Sequence, residues 1–258
     1  MGFFGRIQST FTVSRASSIA FATFGTTLVT IVISPLLSIT FNVLLGSDLG
    51  APDLARTAHA ATLVGMGLGV TSGVVSKVAT DRNLGVFQEV HQYRRLDVAY
   101  WIGSALMPMV LVLPTGLACL GAIALATGAA GFESFAVLSV LTLGVLTVGA
   151  LLGVSMAGLG VAMSDPYQGS NIASAIVPIL AGVIVPAGLF PQWLSAVSYA
   201  IPCSGIVRAL TDVLAGAGFD WFAILTDLSV SFVWACGGLS MVGVAIRKMR
   251  SGLKFNSL

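Results

Sequence analysis

The sequence predicts an all-α polytopic membrane protein with six transmembrane helices, an N-terminal amphipathic interfacial helix and an external re-entrant helical hairpin between the last two spans. Hydrophobic residues make up 56% of the 258-residue chain and charged residues only 9%. Soluble domains carry about 25% charged residues. Several apolar runs reach the length of roughly 20 residues that is needed to cross a bilayer. Most charges lie between these runs, which indicates alternating membrane and aqueous segments.

The first 18 residues form a basic amphipathic lead. Phe4, Ile7 and Phe11 fall on one helical face, with Arg6 and Arg15 elsewhere, a pattern typical of a helix lying in the membrane interface. The apolar run that follows is about twice the length of a signal-peptide core, so no cleavage is expected. We predict a first span at residues 19–45 and expect its internal proline, Pro35, to kink the helix.

Small residues mark the packing faces of two of the later spans. These later spans are predicted at residues 58–76, 98–124, 135–163, 170–190 and 220–246. In the second span, Gly65, Gly69 and Gly73 recur every four residues, which puts them on one face and allows a neighbouring helix to approach closely. The fourth span repeats this pattern at Gly149, Gly153 and Ala157.

Residues 191–218 are apolar, but prolines and glycines divide them into pieces too short to cross. We therefore predict a re-entrant or interfacial hairpin there. Ten of the twelve basic residues fall on the opposite side of the membrane from this hairpin in a six-span topology. Because basic residues are retained in the cytoplasm, both termini are predicted to be cytoplasmic and the hairpin external.

Residues 77–97 are the longest charged interruption between apolar runs. The charged residues there are Lys77, Asp81, Arg82, Glu89, Arg94, Arg95 and Asp97. Apolar residues, among them Leu84, Val86 and Phe87, are interspersed with them. This mixture suits a short cytoplasmic helix that docks on a soluble partner.

The search for catalytic and ligand motifs is negative. A Walker A loop needs Gly-Lys followed by Ser or Thr, but Lys77, Lys248 and Lys254 follow Ser, Arg and Leu. The three cysteines show no paired or metal-ligand spacing, and the two histidines lie on separate segments. A net charge of +2 is too small to indicate nucleic-acid binding. We therefore predict neither an enzyme nor a cofactor or metal site in this chain.

Two regions carry a resemblance to a known family. Between residues 159 and 216, the relevant positions are Pro186, Phe190, Pro191, Trp193, Leu194, Ile201, Pro202 and Arg208. A looser likeness lies in the charged segment, at Asp81, Arg82, Gly85, Phe87, Gln88 and Glu89. In both regions the chain resembles the membrane permeases of ABC type-2 transporters. The Leu-Leu and Ser-Pro pairs that usually follow the second phrase in that family are absent from residues 90–95.

The resemblance implies one half of a bacterial exporter in the cytoplasmic membrane. Two permease chains, identical or related, would surround a pathway, and two ABC ATPase subunits would bind ATP and Mg beneath them. Residues 77–97 would contain the coupling helix, with Phe87 as its apolar anchor and Glu89 pairing with a basic residue of the ATPase. The pathway would be lined from the second and fifth spans, which makes Met66, Thr71, Asn171, Ser174 and Pro178 the candidates.

The cargo and the energy source leave alternatives open. A nearly uncharged pathway suits a hydrophobic or amphipathic cargo, such as an antibiotic or other drug, a modified peptide or a lipid, and efflux of this kind would confer antibiotic resistance. A lipid-linked glycan is a further possibility. Asp227 is the exception among spans that are otherwise almost free of charge. Because ionisable residues inside a membrane often mark ion-coupling sites, an ion-coupled secondary carrier is the main alternative. A noncatalytic membrane scaffold or immunity factor is another.

Overall fold

The computed structural model describes residues 2–16, 23–51, 53–93, 96–127 and 132–250, and the regular elements in these ranges are all helices. Their bounds are α1 (Phe3–Ala16), α2 (Phe24–Leu28), α3 (Ser34–Asp48), α4 (Leu54–Asn83), α5 (Val86–Tyr93), α6 (Val98–Thr127), α7 (Phe132–Ala162), α8 (Gln168–Leu180), α9 (Gln192–Tyr199), α10 (Ser204–Leu214) and α11 (Trp221–Arg250). A π-helical segment, Val29–Ile33, joins α2 to α3. A single 3-10 turn, Ala187–Leu189, precedes α9.

Five helical stretches in the described ranges are long and apolar enough to cross a membrane. They are Phe24–Asp48, which we call the first span, and Leu54–Asn83, Val98–Thr127, Ala136–Ala162 and Trp221–Arg247. The predicted spans at 58–76, 98–124, 135–163 and 220–246 each fall on one of them. Residues 19–22 of the predicted first span lie outside the described residues. The all-helical, membrane-spanning character predicted from composition is confirmed.

The predicted span at residues 170–190 differs from the observed helix. Helix α8 has 13 residues and ends at Leu180. The chain then turns at Gly182, whose φ of +81° lies in the left-handed region that glycine adopts without strain. Pro186 follows, and a proline disfavours helical geometry in the residue before it. Glycine and proline therefore stop this helix well before residue 190, although the sequence remains apolar.

Helix α4 lies at the centre and touches its neighbours through glycine. A Cβ atom at Gly149 of α7 would lie 2.7 Å from the Cα atom of Gly67 on α4. On the other side of α7, a Cβ atom at Gly158 would lie 2.8 Å from the Cα atom of Gly238 on α11. Backbones this close leave no room for a side chain between them. Close helix contact through small residues is the packing predicted for the fourth span.

The glycine face of α4 contacts α6 over only part of its length. A Cβ atom at Gly73 would lie 2.5 Å from Cβ of Pro108, and one at Gly69 would lie 3.1 Å from Val112. At Gly65, by contrast, an added Cβ would meet no atom within 4 Å. The predicted packing face is therefore confirmed at two of its three glycines, and the third lies beside open space.

Helix α1 packs against the beginning of α6. A Cβ atom at Gly103 would lie 2.6 Å from Cβ of Thr10, so the two helices are in close contact. Arg6 Nη1 donates to Asp97 Oδ2 at 2.6 Å, which ties α1 to the residue just before α6. Of the predicted apolar face, Phe4 is exposed, whereas Ile7 is partly buried. Residues 17 and 18 of the lead lie outside the described residues.

Candidate functional site

The charged segment at residues 77–97 comprises the end of α4, a tight turn and the short helix α5. Helix α4 continues to Asn83, and the N–H groups of Leu84 and Gly85 donate to the carbonyls of Thr80 (3.0 Å) and Arg82 (3.2 Å). Gly85 has a φ of +79°, a geometry that closes helix C-termini and favours glycine. Gly85 therefore sets the angle at which α5 leaves α4, and the predicted short helix is confirmed as the eight residues of α5.

Phe87 of α5 is only 1% exposed, as is His91. The Phe87 ring stacks on that of His91 with centroids 4.1 Å apart, and it meets the ring of Tyr100 edge-to-face with centroids 6.2 Å apart. Trp101 completes the cluster, with its ring 6.5 Å from that of His91. We call these four residues the aromatic cluster. Their contacts fix α5 against the beginning of α6.

The burial of Phe87 corrects one part of the sequence interpretation. We predicted Phe87 as the apolar anchor that meets an ATPase, but its ring is enclosed by the chain itself. A mixed sequence does not reveal which apolar residue of a short helix points inward, since α5 is only about two turns long. The exposed apolar side chains around the start of α5 are Leu84, which is 69% exposed, and Val86.

Asp81 and Arg82 also make their contacts within the chain. Asp81 is buried, pairs with Lys77 and accepts a hydrogen bond from the Tyr100 hydroxyl at 2.7 Å. Arg82 Nη1 donates to the carbonyls of Gly160 and Met163, both at 2.8 Å, where α7 ends. Helix C-termini carry unpaired carbonyls and partial negative charge, so a guanidinium there is stabilising. Both residues therefore hold the end of α4 in position.

Of the predicted coupling residues, Glu89 is the one that lies exposed on an outward surface. Glu89 is exposed, whereas Gln88 is partly buried, and its Oε1 atom has no hydrogen-bond partner among the described residues. Leu84, Val86 and Glu89 form what we call the α5 outer surface. Arg94 and Arg95 lie outside the described residues.

Burial lowers the pKa of His91 below its ordinary value of 6.5. The hydrogen bond between its Nδ1 atom and the Phe87 carbonyl, at 2.9 Å, and the charge of Asp97 act in the opposite direction but are smaller. The imidazole is therefore neutral at pH 7 and behaves as a member of the aromatic cluster.

The predicted pathway residues divide into two groups. Met66 and Thr71 are buried on α4, and the Thr71 hydroxyl is 2.9 Å from the carbonyl oxygen of Gly149. On α8, Asn171 and Ser174 are exposed and Pro178 is partly buried. The structure does not bring the two groups together into one surface within a single chain. Thr71 helps α4 and α7 to pack, whereas the exposed residues of α8 are open to lipid or to another chain.

Helices α9 and α10 form a bent pair with an angle of 109° between them. Pro191 and Trp193 are exposed at the start of α9, and Pro202 is buried at the bend. The Arg208 guanidinium lies over the ring of Tyr199, 3.8 Å from its centroid, which is the geometry of a cation–π contact. The four predicted hairpin residues therefore lie within or beside a bent helical pair.

Asp227 of α11 holds this bent pair in place. Its Oδ1 atom accepts from the N–H of Cys203 at 2.9 Å, and its Oδ2 atom accepts from the N–H of Ile206 at 3.0 Å. Those N–H groups begin α10 and have no partner inside that helix, so the carboxylate satisfies two buried donors. The sequence shows that Asp227 is exceptional, but its partners are more than 20 residues away and could not be identified from local spacing.

At the other end of α4, Arg56 also binds the backbone of a distant segment, and no local sequence pattern indicates this contact. The buried guanidinium donates to the carbonyl of Gly182, at 3.1 Å from Nη1 and 2.6 Å from Nη2. Gly182 lies just after α8, while Met163, the partner of Arg82, lies just before it. The chain between these two residues therefore passes from one end of α4 towards the other.

No protein-family model, curated protein or solved structure matches this chain. Within the described ranges there is no group of three or more His, Cys, Asp or Glu side chains placed to hold a metal ion.

Proposed function

We propose that this chain is the permease subunit of an ATP-driven ABC exporter that moves a hydrophobic or amphipathic cargo out across the bacterial cytoplasmic membrane. A separate ABC ATPase, in two copies, would supply the energy and bind ATP and Mg, and a second permease chain, identical or related, would complete the pathway. The observation that carries this proposal is the attachment of α5, a short helix outside the apolar spans whose inner face is buried and whose outer face is open.

The aromatic cluster and the bonds of Arg82 make α5 a stiff attachment. Phe87 and His91 fix it to α6 through Tyr100 and Trp101, and Gly85 joins it directly to α4. A force applied to the α5 outer surface would therefore move α4, α6 and the end of α7 together. This is the mechanical requirement for a helix that passes the movement of a soluble motor to membrane helices.

The proposed topology has six crossings, with both termini in the cytoplasm. Five are the long apolar stretches, and the sixth is the segment around α8. Its support is the pair of arginines on α4: Arg82 reaches the chain before α8, and Arg56 reaches the chain after it. In this proposal the bent pair α9–α10 returns to the external side as a re-entrant hairpin. Helix α1 lies in the cytoplasmic interface.

The secondary-carrier alternative depended on Asp227. Both oxygens of that carboxylate accept hydrogen bonds from the backbone at the start of α10, which accounts for an acid at this depth. No separate observation in the described residues favours ion coupling, so we propose the ATP-driven mechanism alone.

The proposal is tested by purifying the tagged chain from its native membranes in mild detergent. MgATP hydrolysis of the preparation is measured, and a co-purifying nucleotide-binding subunit is identified by mass spectrometry. Wild type is compared with Leu84→Glu and Glu89→Arg, which alter the α5 outer surface without touching the aromatic cluster. Asp48→Arg, an exposed change at the far end of the first span, is the matched control.

We expect Leu84→Glu and Glu89→Arg to lower the bound ATPase about tenfold, because a desolvated apolar contact or charge pair contributes about 1–3 kcal/mol. Asp48→Arg should retain it. If no nucleotide-binding subunit accompanies the wild-type chain, or if the three variants retain equal amounts, the proposal fails.

A further inference from the structure

A cavity of about 520 Å³ lies between the first span, α4, α6 and the C-terminal end of α1. Along α4 its wall runs from Ala61 to Thr80, a length of about 28 Å at 1.5 Å per residue. Small-molecule sites in proteins typically enclose about 300–1,000 Å³. A space of this length and volume is narrow, and its shape suits an extended hydrocarbon chain.

The cavity exists because one face of α4 carries glycine and serine, whose side chains are too small to fill the space beside the helix. Gly65 and Ser72 lie in its wall and are exposed, so the cavity is open along that side. No atom lies within 4 Å of the position that a Cβ of Gly65 would take. Opposite, α6 contributes the apolar side chains of Met107 and Leu111. The lining is therefore mainly apolar, with the hydroxyls of Ser34, Ser38 and Ser72 among it, and the cavity is open beside Gly65 and Ser72.

One end of the cavity carries a buried ion pair. Lys77 lies in the wall, its side chain is 9% exposed, and its ammonium pairs with Asp81. The second oxygen of Asp81 is occupied by the Tyr100 hydroxyl at 2.7 Å, which fixes the carboxylate to one side of the lysine. An ammonium has three N–H donors, and among the described residues Asp81 is the one group that accepts from it. Two donors of Lys77 are thus available to a ligand.

We infer that the cavity binds one membrane amphiphile with an anionic oxygen, a phosphate or a carboxylate, on a hydrocarbon chain. The anionic oxygen accepts from Lys77 at the end of the cavity near α5. The hydrocarbon chain extends past Ser72 and Gly65 towards the opposite end. The ligand enters sideways past Gly65 and Ser72, where the wall is open. Because the cavity lies inside a single chain, this site needs neither an ATPase nor a second permease.

The inference is tested by photo-cross-linking on the purified full chain in detergent, with the labelled peptides mapped by mass spectrometry. The probes are a phosphatidylglycerol and a free fatty acid, each with a diazirine in the middle of one acyl chain, and the corresponding diazirine fatty alcohol as the uncharged control. Gly65→Leu fills the cavity. Gly121→Leu is its matched control, because a Cβ at Gly121 also meets no atom within 4 Å, although this residue of α6 is not in the wall.

We expect one or both anionic probes to label residues 61–80 and 104–119 in the wild type and in Gly121→Leu, with labelling lost in Gly65→Leu. The probe that labels more strongly identifies the phospholipid or the fatty acid as the source. The double variant Lys77→Met, Asp81→Asn removes the charge while leaving no unpaired buried ion. It should weaken labelling by the anionic probes about tenfold, the effect of losing a hydrogen bond to a charged group.

Three results would overturn the inference: no labelling of this region by either anionic probe, labelling that Gly65→Leu leaves unchanged, or labelling by the fatty alcohol as strong as that by the stronger anionic probe. Thermal unfolding of each variant shows whether a loss of labelling reflects a loss of fold. If Gly65→Leu unfolds, Gly65→Ala, which narrows the cavity by one methyl group, should reduce labelling while keeping the wild-type melting temperature.

Discussion

The first span and α4 are both apolar helices, but the more apolar of the two, the first span, is the less buried. The most apolar window of the first span has a mean hydropathy of 2.2, and 0% of it is buried. The corresponding window of α4 has a mean hydropathy of only 1.4, and 67% of it is buried. In water the more apolar helix would lie inside. In lipid, tails are as apolar as leucine, so close packing of small and hydrogen-bonding residues decides which helix is central.

The contacts of the two helices follow this difference. Helix α4 touches α7 at Gly67 and α6 at Gly73, and it carries Arg56 and Arg82 at its ends, where each binds the backbone of another segment. The first span presents large apolar side chains outward, and its Thr40 side chain hydrogen-bonds within its own helix. Hydropathy thus identifies a span, whereas small residues and terminal arginines identify its neighbours.

The largest effect is expected where two backbones touch. In Gly149→Leu the new side chain must enter the contact with Gly67, where a Cβ would lie 2.7 Å from a Cα atom. We expect a loss of about 3 kcal/mol or more, at or above the usual upper end for overpacking, and little folded protein. Size-exclusion chromatography and thermal unfolding in detergent measure this. Gly237→Leu on α11, where a Cβ meets open space, should behave as wild type. Equal yields of both variants would contradict the assigned packing.

The next effect is expected at Asp227. In Asp227→Ala the N–H groups of Cys203 and Ile206 lose their acceptor, and an unsatisfied buried donor costs about 1–3 kcal/mol. Asp227→Asn keeps one carbonyl oxygen and should lose less. Melting temperatures of the two variants test this order. If Asp227→Asn were as unstable as Asp227→Ala, the carboxylate would not act mainly as an acceptor for these two donors.

Much of the fold was predictable from the sequence because its signals are local. Run length gave the long spans, and four-residue spacing gave the small-residue contact at Gly149. The early end of α8 was missed because apolar composition continues past Gly182, although the glycine itself was a signal. Around α5 the sequence indicated a short helix but not its orientation. The burial of Phe87 depends on Tyr100 and Trp101, which belong to the next helix.

Bonds between distant segments were the least predictable part. The link from Arg56 to Gly182 joins residues 126 positions apart, and the acceptor is a backbone carbonyl that any residue type provides. The same holds for Arg82 and the carbonyls at the end of α7. In the sequence, a basic residue near the end of a span indicates only which side of the membrane that end faces. The packed structure is needed to show that the residue also binds the backbone carbonyls at the end of another helix.

A smaller, pH-dependent effect is expected in the aromatic cluster. Burial lowers the pKa of His91 in the folded chain, so the unfolded chain takes up a proton more readily once the pH falls below about 6.5. Stability from the neutral imidazole is therefore complete above that pH and declines as the pH falls towards the folded pKa. In His91→Phe, which keeps an aromatic ring, the melting temperature should fall less between pH 7.5 and pH 5.5. Identical falls in wild type and variant would remove His91 as the cause.

The smallest effect is expected on the outward face of the first span. Phe41 is exposed, so Phe41→Ala should change stability by no more than about 0.5 kcal/mol, as exposed substitutions usually do. Leu63→Ala on α4 is the matched comparison, because Leu63 is fully buried and its truncation should cost about 2–5 kcal/mol. Thermal unfolding of both variants in detergent measures the two losses of stability, which are then compared.

The outcome at Phe41 decides what surrounds the first span. A negligible effect fits a helix that faces lipid, where an alanine and a phenylalanine meet the same fluid environment. A loss as large as that of Leu63→Ala would mean that Phe41 is buried in the assembled protein, since a ring facing lipid has no packed neighbours to lose. That loss would also shrink as the protein is diluted, because stability gained from a second chain follows mass action and the wild type loses it on dilution. The first span would then be central to the assembly, although it is peripheral to the chain.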